Sequence, residues 1–389
     1  MTGKVTGSAE GRMLFFLPWD FDMIGGVDVV VDRLWREVER TMPDRSLIGI
    51  QDWVFDGTKR DSGGRKFVHV NFPAPAPLSP LSSRYLLTSL RRLPVLRRRL
   101  LDRDIRVVNF HFPRLNAYPL ALLKRFGLWR GRIVLSFHGS DVLEVDASSP
   151  AWRLVASQVD SVTACSSALA ERVKALGLFE QIPIRVVHNG IDCAHFHAQA
   201  ADTGVPAGTP FILNVGNYVA HKAQNVLIEA FARVAQRYPD LRLVLAGGAD
   251  NGSWLAGLRE LAAELGITER IHFLESIPQH QVSALMRDAV CLAHSSLAES
   301  FGLVVIEAGA CRLPVVASRV GGIPEILSSS EFGWLHDAGD VEGLAEVLVA
   351  VLDDPAEALR RAENLRQRVQ QKFSVESMAA GYLDACLDR

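Results

Sequence analysis

The stretch SSLAESFGLVVIEAGACRLP, residues 295–314, carries the strongest indication of fold in the chain. A strand-length apolar run, Val290–Ala293, precedes it, and we expect a helix to begin after Ser300-Phe301-Gly302. Two carboxylates, Glu299 in the predicted loop and Glu307 in the predicted helix, are separated by seven residues. Backbone N–H groups at a helix start form a positive end that suits a phosphate. The stretch therefore predicts one strand–loop–helix unit of an α/β protein with an anion site in its loop.

The two glutamates also allow a purely structural interpretation, with Glu299 as a helix cap and Glu307 on a solvated helix face. Glu307, however, lies within an apolar run, Val304–Ala308. A carboxylate buried among such side chains has to find hydrogen-bond partners. We therefore prefer a binding role, in which Glu299 accepts hydrogen bonds from hydroxyl groups and Glu307 holds a ribose diol.

The same alternation of strand and helix extends over the whole chain. Strand-length apolar runs lie at Met13–Pro18, Phe67–Asn71, Val107–Phe110, Ile133–Phe137, Ile184–Val187, Phe211–Val215, Leu241–Ala246, Ile271–Phe273, Val290–Ala293 and Val315–Ala317. Segments of helical period between them include Val27–Thr41, Asn225–Tyr238 and Glu342–Asp353. Strands that are apolar throughout and alternate with helices are typical of doubly wound parallel sheets covered on both faces.

Length and composition predict two such domains. A chain of 389 residues is long for one hydrophobic core, and Ala, Thr, Gly and Pro replace the alternating pattern over Ala194–Pro210. We expect an N-terminal domain over residues 12–200 and a C-terminal domain over residues 208–373. Ligands bind such sheets at the carboxyl ends of their strands. Two facing sheets therefore predict a cleft suited to a two-substrate transfer reaction.

Charge and cysteine usage narrow the class of protein. The formal net charge of −2 gives no overall attraction to nucleic acid, and five scattered cysteines without a CxxC pair argue against a disulfide framework or a structural zinc site. Met1–Arg12 does not have the pattern of a secretory leader, and no apolar run reaches the length of a membrane span, about 18–20 residues. We expect a cytoplasmic protein, with peripheral contact at the inner membrane face as the alternative.

Glycine- and histidine-bearing blocks recur at the predicted loops. They are Gly25-Gly26-Val27, Phe137-His138-Gly139-Ser140-Asp141, Val187-His188-Asn189-Gly190-Ile191-Asp192, Gly216–Ala223, Gly247-Gly248, Gly321-Gly322-Ile323-Pro324-Glu325 and Asp340. Together with Glu299 and Glu307, and in this order, the blocks resemble those of glycosyltransferase family 4. That family has the GT-B architecture of two Rossmann-like domains, and the resemblance spans nearly the whole chain.

The resemblance implies a reaction and a set of residues. It implies retaining transfer of a sugar from a UDP- or GDP-sugar to a glycan, lipid-linked or small-molecule acceptor, without a metal or other cofactor. The implied catalytic residues are His138, which hydrogen-bonds the donor sugar, Glu299 and Lys222. The implied donor-binding residues are Gly25, Gly26, Asn217, His221, Lys222, Ser300, Phe301, Gly302, Leu303 and Glu307. The implied acceptor-binding residues are His111, Arg114 and Asp141, with Gly25 and Gly26 as further contacts.

Two details of the N-terminal half stay open. Asp141 either orients His138 or caps the following helix. The glycine pair Gly25-Gly26 lets backbone approach a ligand and tolerates a positive φ, or simply forms a helix-entry turn. By the same resemblance the last helix, Ser377–Asp388 within residues 374–389, packs back on the N-terminal domain.

The segment Gly216–Ala223 departs from the family pattern. Members carry an arginine directly after the first glycine and a Lys-Gly pair further on, and these two cations clamp the diphosphate. Here Lys222 matches, Asn217 replaces the arginine and Ala223 replaces the glycine. We expect His221 to compensate for the missing charge.

Other functions remain as alternatives. A nucleotide-sugar epimerase or hydrolase uses the same architecture, and Asn217 leaves room for a non-catalytic sugar-nucleotide-binding subunit. A dinucleotide oxidoreductase is disfavoured because the first strand lacks a GxGxxG fingerprint. The base of the donor, uracil, guanine or adenine, is left open.

Metal binding is not expected at the sites that the sequence offers. Two Asp-x-Asp triplets, Asp20-Phe21-Asp22 and Asp102-Arg103-Asp104, lie in a glycine loop and at the end of a basic helix. Cys193, His195 and His197 lie together near the expected domain boundary.

The segment Arg84–Arg106 contains eight arginines interleaved with leucines, with Pro94 expected to interrupt its helix. A solvated helix face is the ordinary interpretation. Docking on anionic lipid and binding of an anionic acceptor are the alternatives.

Overall fold

The computed structural model describes residues 11–21, 25–51, 58–60, 66–70, 72, 83–193, 204–206, 208–248 and 252–388, without the side chains of 58–60, 66 and 83–90. The chain divides into two compact units. Unit 1 comprises Met1–Gly190 and Val375–Arg389, and unit 2 comprises Ile191–Ser374. Several residues named above lie outside the described residues: Asp22, Asn71, His195, His197 and most of Ala194–Pro210.

Unit 1 is built on a sheet of eight strands. They are β1 (Arg12–Leu17), β2 (Ser46–Gln51), β3 (Thr58–Arg60), β4 (Lys66–Val70), β5 (Ile105–His111), β6 (Arg132–Phe137), β7 (Ser161–Ala164) and β8 (Ile184–Val186). Their order is β3-β4-β2-β1-β5-β6-β7-β8, with β3 antiparallel to β4 at one edge and the remaining neighbours parallel. Strand β1 pairs with strands on both sides, and the side chains of Met13–Leu17 are buried, as is typical of an apolar strand in a sheet covered on both faces.

Unit 2 is built on a sheet of six parallel strands. They are β9 (Phe211–Val215), β10 (Arg242–Gly247), β11 (Ile271–Glu275), β12 (Cys291–His294), β13 (Val315–Ser318) and β14 (Trp334–His336). Their order is β11-β10-β9-β12-β13-β14. The α/β class and the two doubly wound parallel sheets expected from the sequence are confirmed.

Thirteen α-helices are found in the described part of the chain. Those of unit 1 are α1 (Gly26–Thr41), α2 (Ser83–Asp102), α3 (Tyr118–Arg125), α4 (Pro150–Ala156), α5 (Ser167–Lys174) and α13 (Val375–Leu387). Those of unit 2 are α6 (Gln224–Arg237), α7 (Ser253–Glu264), α8 (Gln279–Asp288), α9 (Leu303–Ala310), α10 (Ile323–Ile326), α11 (Val341–Asp353) and α12 (Pro355–Lys372). Among these described helices, none combines the length and the apolar character that crossing a bilayer requires.

Local sequence explains where several helices begin. Asp340 caps α11 by accepting a hydrogen bond from the Gly343 N–H at 3.0 Å. Asp354 caps α12 in the same way through the Glu357 N–H, and a proline occupies the first turn of that helix. Carboxylates at these positions satisfy backbone donors that have no partner within the helix.

The last helix, α13, belongs to unit 1 although the chain enters it from unit 2. It contacts α1, β6 and β7, and Tyr382 on it is buried with its ring 5.3 Å from that of His111. The thioether of Met378 accepts the N–H of Gly190 at 3.1 Å. Residues separated by almost two hundred positions therefore form one core.

Two features differ from the sequence-based expectation. Pro94 does not interrupt its helix but lies inside α2. Its ring is on the exposed face, where water can bind the Leu90 carbonyl that a proline leaves without its helical partner. Four strands, β2, β3, β7 and β14, were not expected, because each is short or mixes polar residues and glycine with apolar ones.

Each sheet has one switch point, at which successive strands stop adding on one side of the first strand and continue on its other side. In unit 1 the neighbours of β1 are β2 and β5, and in unit 2 the neighbours of β9 are β10 and β12. The loops after such a pair of strands separate, which opens a crevice at the carboxyl edge of the sheet where ligands bind. The candidate site residues lie at these two crevices.

Candidate functional site

The crevice of unit 2 is bordered by the loop after β9, which is held by the loop after β10. A Cβ on Gly247 would lie 2.0 Å from the Gly216 carbonyl oxygen, so only glycine allows these backbones to touch. The Tyr218 N–H donates to the Gly248 carbonyl at 2.8 Å, and the Asn217 Oδ1 accepts the Gly248 N–H at 3.3 Å. Asn217 thus braces the loop at the position where the family carries a cation.

An ion pair joins the two loops that border this crevice. The Lys222 Nζ lies 2.8 Å from Glu299 Oε2, and the two side chains are 21% and 16% exposed. Glu299 Oε1 accepts the N–H of Ser300 at 3.0 Å. Backbone contacts strengthen the connection, since the Leu297 N–H donates to the His221 carbonyl at 2.8 Å. Because Lys222 and Glu299 belong to different loops, their ion pair holds the two loops together at the crevice.

The carboxylate of Glu299 is held in its ionised form. Burial opposes ionisation, but the His294 imidazole and the Lys222 ammonium outweigh it and hold the pKa of Glu299 well below its usual range. His294 Nε2 is 3.4 Å from Glu299 Oε2, a distance that is long for a hydrogen bond but short for an electrostatic contact. Glu299 is therefore an anion with cationic and polar neighbours on one side.

His221 is the residue that we expected to compensate for the missing arginine charge. Burial and the neighbouring Lys222 ammonium lower the pKa of His221 below its ordinary value of 6.5. The lowered pKa disfavours the charged ring, so it does not support the expected compensation by His221, which stays a prediction. The remaining positive group at this loop is Lys222 itself.

The helix after Glu299 is positioned by a glycine. Gly302 has φ +110° and precedes the first residue of α9, Leu303, and a Cβ there would lie 2.4 Å from Ile323 Cδ1. Glu307 lies one turn further along, 9% exposed within the apolar helix. Phe301 is buried, with its ring 5.7 Å from that of Phe373. Phe301 is thus a core residue, and its side chain is not the donor contact that we expected.

The loop around Gly321 packs against the backbone of Glu299. Gly321 has φ +51°, and a Cβ at this position would lie 1.5 Å from the Glu299 carbonyl oxygen. Backbone packs here against backbone, so the position of Glu299 depends on the absence of a side chain at residue 321.

The carboxyl ends of β5 and β6 in unit 1 carry a buried histidine pair. His111 Nδ1 lies 3.0 Å from His138 Nε2, and the rings stack with centroids 5.2 Å apart. Burial lowers the pKa of His138 to about 4, and burial together with His138 lowers the pKa of His111 well below 6.5. Both rings are neutral at pH 7, so one proton lies between them.

The burial of His111 and Asp141 contradicts the expectation that they contact the acceptor. His111 is fully buried, so its ring positions His138 and does not reach a surface ligand. Asp141 is also fully buried and accepts the N–H groups of His138 at 2.8 Å, Gly139 at 2.7 Å and Val142 at 3.1 Å. Burial raises the pKa of Asp141 to about 6 against these hydrogen bonds. Two roles were left open for Asp141. The structure supports orientation of His138, because Asp141 accepts the backbone N–H of that residue.

The crevice of unit 1 contains an aromatic and charged cluster around Arg114. The guanidinium lies 5.3 Å from the centroid of the Phe112 ring and forms an exposed ion pair with Glu144 at 2.8 Å. Trp19 packs edge-on to Phe112, and its Nε1–H donates to Asp28 at 2.8 Å. Burial raises the pKa of Asp28 to about 6, although Trp19 and the Gly25 backbone oppose this.

Gly25 does not use a positive φ. Its backbone is extended, with φ −134°, and it forms the N-cap of α1. Both Gly25 and Gly26 are exposed, so close approach of a ligand to this backbone is sterically open.

Sequence reasoning did not identify four residues that the structure places at the crevices: His294, Trp19, Asp28 and Phe112. These residues belong to no motif, but several of them lie at or just after the end of a buried strand. His294 ends a buried strand, and Trp19 and Phe112 follow buried strands within two residues. Polar or aromatic residues at the carboxyl ends of the strands that border a switch point are therefore worth including in a sequence-based search.

We expect Gly321→Ala to destabilise unit 2 by about 1–3 kcal/mol, since the alanine would need a left-handed conformation and would displace the Glu299 carbonyl. Gly257→Ala on α7 is the matched control, because its Cβ would meet open space. Urea unfolding of both variants measures the difference. Equal stabilities would show that the Gly321 contact does not constrain the loop.

The buried histidines predict loss of stability in acid. Their folded-state pKa values are depressed, so the unfolded chain binds more protons below about pH 6.5, and stability falls from there toward about pH 4. Between about pH 7 and pH 5 we expect His138 to account for about 2 kcal/mol of the loss. Urea unfolding at both pH values should show a smaller pH effect in His138→Asn than in the wild type. His280→Asn, at an exposed position, is the control, and an equal effect in all three proteins would contradict the assignment.

Comparison with known proteins places the chain among glycosyltransferases. The family model described as "Glycosyltransferase Family 4" matches residues 24–195, and that described as "Glycosyl transferases group 1" matches residues 196–370. D-inositol 3-phosphate glycosyltransferase of Mycolicibacterium smegmatis is 33% identical over 62% of this chain and 58% of its own length. N-acetyl-alpha-D-glucosaminyl L-malate synthase of Bacillus anthracis is 27% identical over 72% and 74%. The matched region thus spans less than two thirds of the first of these relatives.

Solved structures show the same fold. Sucrose-phosphate synthase from Thermosynechococcus elongatus superposes with a TM-score of 0.73 at 21% identity, covering 95% of this chain and 97% of its own. Anabaena HepE in complex with UDP superposes with a TM-score of 0.75 at 19% identity, covering 96% and 98%. With two family models that together span residues 24–370 and with these structural relatives, the chain belongs to glycosyltransferase family 4 and has the GT-B type of fold.

Proposed function

We propose that the protein transfers a sugar from a nucleoside diphosphate sugar to an acceptor, with retention of configuration at the transferred carbon. The observation that carries this proposal is the Lys222–Glu299 ion pair at the crevice of unit 2, directly before the N-terminus of α9. A cation and a helix N-terminus in one loop system are the groups that hold a diphosphate. Family membership and the structures of HepE in complex with UDP and with UDP-glucose support the same donor class.

In this proposal the donor diphosphate lies between Lys222 and the first turn of α9. The first N–H groups of a helix have no partner within it, which makes those of Leu303 and Val304 the nearest backbone donors. Glu307 lies one turn beyond Leu303 and takes the ribose diol. Asn217 contributes to the site as the brace of its loop rather than as a charge.

The chemical step needs stabilisation of the leaving group above all. The bond between the anomeric carbon and the diphosphate oxygen breaks with its electron pair, and negative charge grows on the phosphate. The acceptor hydroxyl oxygen bonds to the anomeric carbon, and its proton passes to the departing phosphate. Lys222 and the α9 amides stabilise the growing charge, while the ion pair with Glu299 holds the Lys222 side chain in place. No protein nucleophile is assigned.

For His138 we propose the role that the family resemblance implies, a hydrogen bond to the donor sugar. Its buried, neutral ring supports this role, because it can donate or accept without adding charge near an oxocarbenium-like sugar. His111 fixes the orientation of that ring from behind. Arg114 remains the proposed acceptor contact, since it is exposed at the crevice of unit 1.

Nucleotide binding is the first test. A thermal-shift panel of UDP, GDP and ADP should raise the melting temperature with at least one diphosphate, because a ligand at about 100 times its Kd stabilises by about 2.7 kcal/mol. The shift should be lost in Lys222→Ala and kept in Lys174→Ala, which removes a lysine from an exposed ion pair in unit 1. If all three nucleotides leave the wild type unchanged, the proposed donor site is wrong.

Turnover is the second test. We expect Lys222→Ala to lower kcat by about 10–150-fold, corresponding to one charge-assisted hydrogen bond of about 1.5–3 kcal/mol. The variant leaves Glu299 without its cation, so folding is checked by circular dichroism. Normal turnover in the folded variant would refute the role of Lys222.

The anomeric configuration and the acceptor requirement decide between the remaining alternatives. NMR of the product formed from an α-linked donor should show an α-linkage. Free sugar or an epimer formed without acceptor would identify a hydrolase or an epimerase. Tight nucleotide binding without any turnover across acceptors would instead identify a binding subunit.

A further inference from the structure

One surface of unit 1 combines exposed arginines with exposed apolar side chains. Leu93, Leu96 and Leu100 form the buried face of α2. The opposite face exposes Arg91, Arg98 and Val95, the last of these to 50%. Positions three and four apart share one side of a helix, so the arginines form one stripe with apolar residues among them.

The stripe continues onto the turn after α3. The Arg97 Nε–H donates to the Leu128 carbonyl at 2.8 Å, which joins the two segments. Leu101, one turn beyond Arg97, is 42% exposed, and Leu128 and Phe126 are 44% and 65% exposed. We refer to Arg91, Val95, Arg97, Arg98, Leu101, Phe126 and Leu128 as the basic–apolar patch. The exposed Arg125 and Arg130 border it.

The charge of this surface is largely uncompensated within its own helix. Helix α2 contains six arginines and one acidic residue, Asp102, which lies 3.5 Å from Arg98. Arg99 has its pKa lowered by burial and by the neighbouring Arg103, which shows how closely the positive groups are placed. Like charges held together in this way favour an anionic partner.

Helix α12 of unit 2 provides the contrast. It is also rich in arginine, but Glu357 pairs with Arg360 at 2.6 Å and Glu363 pairs with Arg366 at 2.6 Å. Its exposed apolar residue, Leu359, has no comparable group of free cations around it, since carboxylates lie one turn away. A high arginine content in a helix of this chain therefore does not by itself produce a basic surface.

We propose that the basic–apolar patch docks the protein on the surface of an anionic lipid bilayer. The arginines contact lipid phosphates, and Phe126, Leu101 and Leu128 insert into the boundary between headgroups and acyl chains. Exposed leucine and phenylalanine side chains have no favourable contact on a nucleic-acid backbone but gain stability at this boundary. This docking is independent of the sugar-transfer reaction and places the protein beside substrates held in the membrane.

The test uses the full chain and vesicles of defined composition. The protein should co-sediment with vesicles that contain about one third phosphatidylglycerol, but not with pure phosphatidylcholine. Binding should weaken as salt is raised from about 0.05 M to about 0.5 M, because the charges are screened. Failure to bind anionic vesicles at the lower salt concentration overturns the proposal.

Matched variants locate the surface. Arg91→Glu/Arg98→Glu should lower the affinity for anionic vesicles by about thirtyfold or more, given about 1 kcal/mol for each basic residue near the membrane. Arg360→Glu/Arg366→Glu on α12 changes the net charge equally and should bind almost as the wild type does. Equal losses in the two double variants would mean that net charge, not the patch, drives binding, and would overturn the proposal.

The apolar part is tested by Phe126→Ser, with Leu359→Ser as its control. We expect only Phe126→Ser to weaken the binding that remains at the higher salt concentration. Displacement of the protein from vesicles by a short DNA duplex that binds the patch more tightly would assign it to nucleic acid and overturn the proposal. Circular dichroism and melting temperature show that each variant is folded.

Discussion

The ion pair between Lys222 and Glu299 organises the candidate site of this protein. It joins the loops that leave β9 and β12, the two strands between which the sheet of unit 2 changes its direction of winding. Against the effect of burial, the His294 imidazole and the Lys222 ammonium hold the pKa of the Glu299 carboxyl well below its usual range, so the carboxylate is ionised. Gly247 and Gly321 permit the close backbone packing that brings the loops together, and Gly302 leaves room for the Ile323 side chain. A diphosphate ligand would thus meet a preformed cation.

In unit 1 the corresponding edge of the sheet carries a pair of neutral groups. At the carboxyl ends of β5 and β6 the two histidine rings lie within hydrogen-bond distance of each other, and burial lowers the pKa of both. Asp141 holds the backbone of His138 through three N–H groups. In the proposed reaction a charged leaving group would need a cation, whereas a sugar hydroxyl would need only an oriented hydrogen-bond donor or acceptor.

The basic–apolar patch shows how similar compositions lead to different surfaces. Helices α2 and α12 are both arginine-rich, but carboxylates one turn away neutralise the arginines of α12. On α2 and the turn after α3 the positive groups lie among leucine, valine and phenylalanine side chains that are exposed rather than packed. Proximity to a membrane would raise the local concentration of any lipid-linked acceptor without a change in the catalytic groups.

The sequence alone determined the α/β class, the two doubly wound sheets and the strand–loop–helix unit that carries Glu299 and Glu307, because burial on both faces leaves apolar runs that are visible in one dimension. It did not reveal short mixed strands such as β7, nor that Phe301 is a core residue and His111 lies behind His138. Only the tertiary structure decided that Lys222 meets Glu299, 77 positions away, and that burial lowers the pKa of His221. Such contacts and pKa values depend on distance and burial, which strand order sets and local sequence does not encode.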